Sequence, residues 1–342
     1  MGWSDQEIKD LVEGTLNEMD PPHFIDIAQD LYAYEVMGRW LKEDRIIKDE
    51  GIGIRREIMG KYSQAASFIH PQEKDTINIE DLLTHLDVPW VHAQTYWAWT
   101  RQDMLKNRKG SKVVDLIDVR RQGAMLSLAR ILETAELGSA PAVGDTKNPY
   151  NLQYYIVKNA TFGFQGGLPG SHTTVAGVNL TTWPNYKNHT GTYGAVTKPD
   201  LFRKLKKMAR VTHFVSPIAN SNALKIKDNY RYYTNGDGLD DVEEALEKQG
   251  DALGPDGAPL SGKARMNGNP FVALAELDSD SSNPFYQINH DTFYIVVLEG
   301  DYLRESEPRW GPSQHNVLVV FVDLSMNTVC VDRRRNGVLY KA

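Results

Sequence analysis

The sequence predicts an α+β fold, on three observations. Apolar residues recur at three-and-four spacing from Lys112 to Leu137, the mark of one long amphipathic helix. Val88 to Thr100 alternates in the two-residue period of a strand, with aromatic residues on both faces. The last third of the chain is dominated by short β-branched runs, at 271–275, 292–298, 317–324 and 329–333.

The long helix carries Val113, Leu116, Ile117, Ala124, Met125, Leu128, Ile131, Leu132 and Ala135 on its apolar side. Ser111 is placed to cap it, Asp115 sits near its positive end, and Gly138 supplies a stop. At 1.5 Å per residue it spans roughly 39 Å, longer than most globular helices. Gly123 inside it costs about 1 kcal/mol relative to alanine.

Ahead of that helix, Ser4-Asp-Gln-Glu7 is a capping box with the stripe Ile8, Leu11, Val12 and Leu16 behind it. Pro21-Pro22 ends that segment, and a second amphipathic helix is expected over 24–41, with Phe24, Ile27, Leu31, Tyr34 and Trp40. These two helices form an N-terminal helical arm, residues 1–45. Residues 46–104 change character: a strand beginning at Gly51, a polar middle with a helical piece at Ile79–Leu86, then the strand Val88–Thr100. That layout describes a projecting hairpin with an insertion. Trp97 and Trp99 share one face of its second strand and Tyr96 lies opposite. A projecting hairpin has little body to cover such rings, so Tyr96, Trp97 and Trp99 are expected to contact a neighbouring subunit.

Beyond Gly138 a strand is expected at Leu152–Val157, and the glycine-rich stretch 163–170 reads as loop. Thr197 caps a helix over 198–211 made basic by Arg203, Lys204, Lys206, Lys207 and Arg210. Such a run is ordinarily a solvated face; Arg203, Lys204 and Lys207 are the candidates to face nucleic acid. An acidic helix over 239–253 follows the turn Asn235-Gly-Asp-Gly238. Asp332-Arg-Arg-Arg335 reads as salt-bridging or interface charge beside a strand.

Composition bounds the function. The chain has 342 residues, 41% hydrophobic and 24% charged, and a net charge of -7. That is long enough for one large core or two smaller ones, and not basic enough for wholesale nucleic-acid binding. The start is polar, without an apolar signal region, and Gln6 stands where a myristoylation signal needs Ser or Thr. A soluble intracellular protein is expected. One cysteine, Cys330, leaves no intrachain disulfide and reads as a buried strand residue. There is no Gly-x-Ser-x-Gly, His-Glu-x-x-His or Walker loop, Gly51-x-Gly53 lacks a third glycine, and the nine histidines are scattered. No catalytic, cofactor or metal residue is singled out, and the chain is not read as an enzyme.

Three stretches together resemble a known family: Asn148-PYNLQYYIVKN with the downstream GFQGG, Tyr232-YTNGDGLDDVEEALEKQGDALG, and Gln314-HNVLVVFVDLSMNTVCVDRRR. They are similar to major capsid proteins of tailed bacteriophages and prophages with the Hong Kong 97-type fold. The resemblance implies an arm (1–45), an extended loop (46–104), a peripheral domain with a spine helix (105–160), an axial domain (161–299), and late strands returning to the peripheral domain (300–342). It implies self-assembly through hexamers and pentamers into an icosahedral shell around a double-stranded DNA genome. The place is the virion capsid, assembled in the host bacterial cytoplasm. A portal and separate scaffolding or decoration proteins are the other partners, with no membrane and no sequence-specific DNA contact. With the loop already reached at residue 46, no room is left for an N-terminal scaffolding segment. An encapsulin-like cargo shell and an α/β enzyme of another type stay as alternatives.

Overall fold

The computed structural model describes residues 34–41, 46–63, 66, 68, 70, 79–106, 111–214, 229–250, 265–311 and 314–342. The expected helix over 8–16 and most of that over 24–41 lie outside them; Val36–Trp40 forms one π-helical turn. Strands β1 (Ile47–Asp49), β2 (Gly53–Met59), β3 (Leu83–Pro89) and β4 (Val91–Thr100) come next, then helices α1 (Arg101–Lys106) and α2 (Ser111–Leu137). Strand β5 (His189–Tyr193), helix α3 (Arg203–Thr212, led in by a π turn at Lys198–Phe202), β6 (Tyr230–Thr234) and helix α4 (Gly236–Gly250) follow. The remainder is β7 (Arg265–Met266), β8 (Asn269–Ala273), β9 (Phe285–Asn289), β10 (Phe293–Leu298), β11 (Arg304–Glu305), β12 (Arg309–Gly311), β13 (Gln314–Cys330) and β14 (Gly337–Lys341).

The first sheet is built on β13. Met326 pairs with Val91 on one side and Val297 on the other, so β4 runs along one edge and β12, β11 and β10 follow one another along the opposite edge. β1 joins β10 in parallel. Alternation decides the faces. Trp97, Trp99, Leu318, Val320 and Val322 point to α2 and close on its Ile117 and Ala124. One face is therefore covered by the long helix, as is usual for an antiparallel sheet with an open second face.

Helix α2 has the expected span. Leu128, Leu132 and Leu137 are buried, but Ile131 is 58% exposed, so the apolar stripe is narrower than the sequence pattern implied. Its C-terminal carbonyls are satisfied from outside: the Asn151 side-chain amide donates to the carbonyls of Ala135, Gly138 and Ser139. The same residue's side-chain oxygen accepts from Tyr154 N–H. This capping makes Leu152–Tyr155 a helical turn, not the strand expected there.

The second sheet has the order β5-β14-β9-β6-β8-β7. Tyr232, Phe271, Phe285 and Leu339 face one way, into a core shared by Leu201, Leu205 and Met208 before and on α3 and Val242 on α4. Tyr233, Tyr286, Ile288 and Val338 face the other way, into the larger core that also holds the first sheet. Asn235 caps α4 by accepting from Gly238 N–H at 3.0 Å. A Cβ on Gly238 would sit 2.3 Å from the Thr234 hydroxyl, which explains the glycine there.

β2 and β3 form a separate ribbon, paired from Gly53–Pro89 out to Met59–Leu83. Its inner end is buried through Ile54, Leu86 and Val88, while Met59 and Leu83 are exposed. Beyond the ribbon, Gly60 lies against the Trp183 ring so closely that an added Cβ would overlap it.

Four expectations change. Ile79–Leu86 is not helical, because 83–89 is claimed as β3. Val88–Thr100 is two strands broken at Trp90, whose indole N–H donates to Gly51 O at 2.9 Å. The hairpin is thus β2–β3 alone, and β4 belongs to the first sheet. The two strands expected at 317–324 and 329–333 are one continuous β13, because the polar residues between them are bonded inside: Asn327 accepts from Tyr150 N–H at 2.8 Å and Thr328 Oγ1 donates to Glu136 at 2.8 Å. The late chain also divides: β13 stays in the first sheet and β14 enters the second, while β10 joins the first.

Candidate functional site

Of the residues expected to meet a neighbouring subunit, Ile8, Leu11 and Leu16 lie outside the described residues. Trp97 and Trp99 are 3% and 2% exposed, stacked on each other with centroids 5.2 Å apart beneath α2. The expectation that they pack on a neighbour is corrected: pairing with β13 directs that face into the chain's own core. Tyr96, on the opposite face, is 62% exposed. It lies beside Phe321, over whose ring the Arg309 guanidinium sits at 4.5 Å. The open face of the first sheet thus presents a small aromatic and cationic patch.

The three basic residues of α3 separate. Lys204 is tied down by Asp200 at 2.6 Å and by Thr192 O at 2.8 Å. The Lys204 ammonium, with the backbone N–H groups of Ala195 and Gly194, pulls the Asp200 carboxyl down to about 2. Lys207 rests 4.8 Å from the Phe162 ring centroid. Arg203 is exposed, as are Lys206 and Arg210. Helix α3 is strongly amphipathic, with Leu205, Met208, Ala209 and Thr212 buried beneath its basic side.

Two positions were missed at the level of sequence. Arg333, in the turn between β13 and β14, is fully buried. Its guanidinium donates to Tyr155 O (2.6 Å), Tyr186 O (3.1 Å), Gly167 O (3.0 Å) and Asn188 Oδ1 (3.0 Å). Burial lowers its pKa, and the ring of Tyr186 faces the charge at 5.5 Å. It pins three loops to the point where the chain passes from the first sheet to the second. The run read as interface charge is therefore largely internal, and only Arg334, paired with Asp332 at 3.0 Å, matches that reading.

Glu133 on α2 is the other. Its carboxylate accepts from Glu35 N–H at 3.0 Å and Val36 N–H at 2.8 Å, capping the first described turn from another element. Burial, with the charges of Glu35 and Glu276, pushes its pKa up to about 7. Burial likewise pushes Glu136, one turn further on, up to about 8. Glu35 continues the network, accepting from Arg231 at 2.8 Å and from the Tyr233 hydroxyl at 2.9 Å. Residues 35–41 are thereby fixed to both the long helix and the second sheet.

Open grooves complete the surface. One of about 600 Å³ lies beside the ribbon, lined by Lys61, Tyr62, Glu80, Asp81, Trp183 and Asn185. A second, about 500 Å³, flanks the end of α2 near Arg130, Ile131 and Asp145. Among the described residues no three His, Cys, Asp or Glu side chains gather to hold a metal ion. Among them, too, no helix is long and apolar enough to cross a membrane. Cys330 is buried, and burial raises its thiol pKa far above neutrality.

No protein-family model and no curated protein matches the chain. Solved structures do. The cyanophage A-1(L) capsid asymmetric unit superposes with a TM-score of 0.66 at 14% identity, covering 94% of this chain and 97% of that one. The capsid of the empty GTA particle gives 0.57 at 12%, covering 98% and 99%, and that of the native GTA particle 0.55 at 11%, covering 95% and 96%. At such identities the likeness lies in the path of the backbone. Over nearly its whole length this chain has the mixed α and β fold of phage capsid structures.

Proposed function

We propose that this protein is the major capsid protein of a tailed bacteriophage or prophage, of the Hong Kong 97 type. It self-assembles into an icosahedral shell enclosing double-stranded DNA. The observation that carries the reading is the correspondence with the cyanophage capsid subunit, which leaves almost none of either chain unmatched. A domain shared with an enzyme would leave a remainder; a shell subunit matched from arm to last strand does not.

The geometry supports the same reading. A shell subunit needs several modest contact surfaces, because closure multiplies weak contacts into one stable object. Here the β2–β3 ribbon serves as the extended loop and α2 as the spine helix. The first sheet belongs to the peripheral domain and the second to the axial domain. Residues 1–45 form the arm, anchored through Glu133. Hexamers and pentamers of the chain make the shell; portal, scaffolding and decoration proteins are its further partners, and the bacterial cytoplasm is where it assembles.

Light scattering on the purified protein across a range of salt tests this. Particles far larger than a single subunit are expected. A monodisperse monomer throughout, also when co-produced with neighbouring phage structural proteins, contradicts it. Nuclease-resistant DNA inside the particles marks a genome shell, and protein cargo alone marks an encapsulin-like one.

A further inference from the structure

Resting on that reading, we infer that the basic helix α3 of one copy docks against the acidic helix α4 of the next copy, head to tail around a capsomer. Both helices lie on the same face of the second sheet, since Tyr232, Phe271, Phe285 and Leu339 share one core with Leu205 and Met208 of α3 and Val242 of α4. They stand at opposite ends of it. Lys204 of α3 reaches Thr192 O on the edge strand β5, and a Cβ on Gly337 of the adjoining β14 would sit 2.7 Å from the Met208 sulfur. Helix α4 instead follows directly from β6 and packs by β8, towards the other edge.

The two ends carry opposite charge. Arg203, Lys206 and Arg210 are exposed on α3; Asp237, Asp240 and Glu243 are exposed on α4. No ion pair joins Arg203, Lys206, Asp237, Asp240 or Glu243 to another described residue. A sheet that is positive at one end and negative at the other is complementary to itself by translation and rotation, not by a two-fold axis. Such a contact is heterologous, and when the rotation closes it makes a ring. Complementary charge of this kind sets register and speeds encounter more than it adds affinity, which suits a subunit that must assemble reversibly before locking. Packaged DNA is the competing occupant of α3, but it gives the exposed acidic face of α4 no role.

The test is a charge swap read by sedimentation and electron microscopy. Arg203→Glu with Lys206→Glu is one variant, Asp240→Lys with Glu243→Lys a second, and all four changes together a third. Circular dichroism should match wild type for each, because every substituted side chain is exposed. Each two-site variant should lower the assembled fraction about tenfold, and the four-site variant should recover it, because like charges then face opposite ones again. Normal assembly of either two-site variant overturns the inference, as does failure of the four-site variant to recover. So does an α3 variant that builds normal particles but loses packaged DNA, which assigns the helix to nucleic acid. A wild-type protein that forms no particle fails at the level of the proposed function, is distinguishable from all of these, and withdraws this contact with it.

Discussion

Val36 N–H donates to the Glu133 carboxylate at 2.8 Å across 97 residues of sequence. A helix start that lacks its own cap is thus completed by a side chain of the long helix. Glu133→Ala removes the acceptor for two backbone donors, and a buried unsatisfied donor costs about 1–3 kcal/mol. Loss of at least that much stability in urea unfolding is expected.

The same pair of carboxylates predicts a pH dependence. The folded-state pKa of Glu133 is raised to about 7 and that of Glu136 to about 8, both by burial. Between their ordinary value and these, the native state holds protons that the unfolded chain has released. Their contribution to stability is therefore full below pH 4.5 and declines as pH rises towards 8. Glu136→Gln should flatten the difference in urea midpoint between pH 5.5 and pH 8 relative to wild type. An unchanged difference would show that Glu136 is ionised in the fold.

On the long helix, Leu128 is 1% exposed and Ile131 is 58% exposed. Leu128→Ala should cost about 2–5 kcal/mol, from lost transfer energy and an unfilled cavity. Ile131→Ala should cost about 0.5 kcal/mol or less in the free subunit. Urea unfolding of the two variants decides between this packing and the broader stripe in the sequence.

In β4, Trp97→Ala should damage the fold itself, by about 3–5 kcal/mol, since the ring lies beneath α2. Tyr96→Ala should leave the melting temperature near wild type, and an assembly defect in that variant alone would assign the open sheet face to a neighbouring subunit. A Trp97→Ala protein as stable as wild type would contradict the packing described.

Arg333→Met keeps the volume and removes every donor from Tyr155 O, Tyr186 O, Gly167 O and Asn188 Oδ1. At about 1–3 kcal/mol for each buried acceptor left bare, the variant should fold poorly or not at all. A soluble protein with a wild-type melting temperature would mean that water replaces the guanidinium there.

Much of the architecture was legible in the sequence because periodicity reports which face of an element is apolar. The span of α2, the strand character of 91–100 and 317–324, the amphipathic α3 and the buried Cys330 all follow from that signal. Periodicity does not say what an apolar face meets. Trp97 and Trp99 were legible as one face, but that α2 covers them was not. Buried polar residues mislead it in the opposite direction. Ser325, Asn327 and Thr328 interrupt the apolar run and suggest a break, yet each is fully buried with partners far away in the chain, such as Asn327 Oδ1 with Tyr150 N–H. Arg333 is the extreme case: a basic residue in a basic run has no local mark distinguishing an internal clamp from a solvated charge.

The central claim is that this chain builds a closed shell. Electron microscopy of the purified protein, with reconstruction of whatever particles form, tests it most directly. The account predicts shells of icosahedral symmetry, with α2 and the first sheet placed at the periphery of each capsomer and the second sheet around its axis. Monomers or small open oligomers in every condition, or particles whose density does not accommodate this fold, would contradict it.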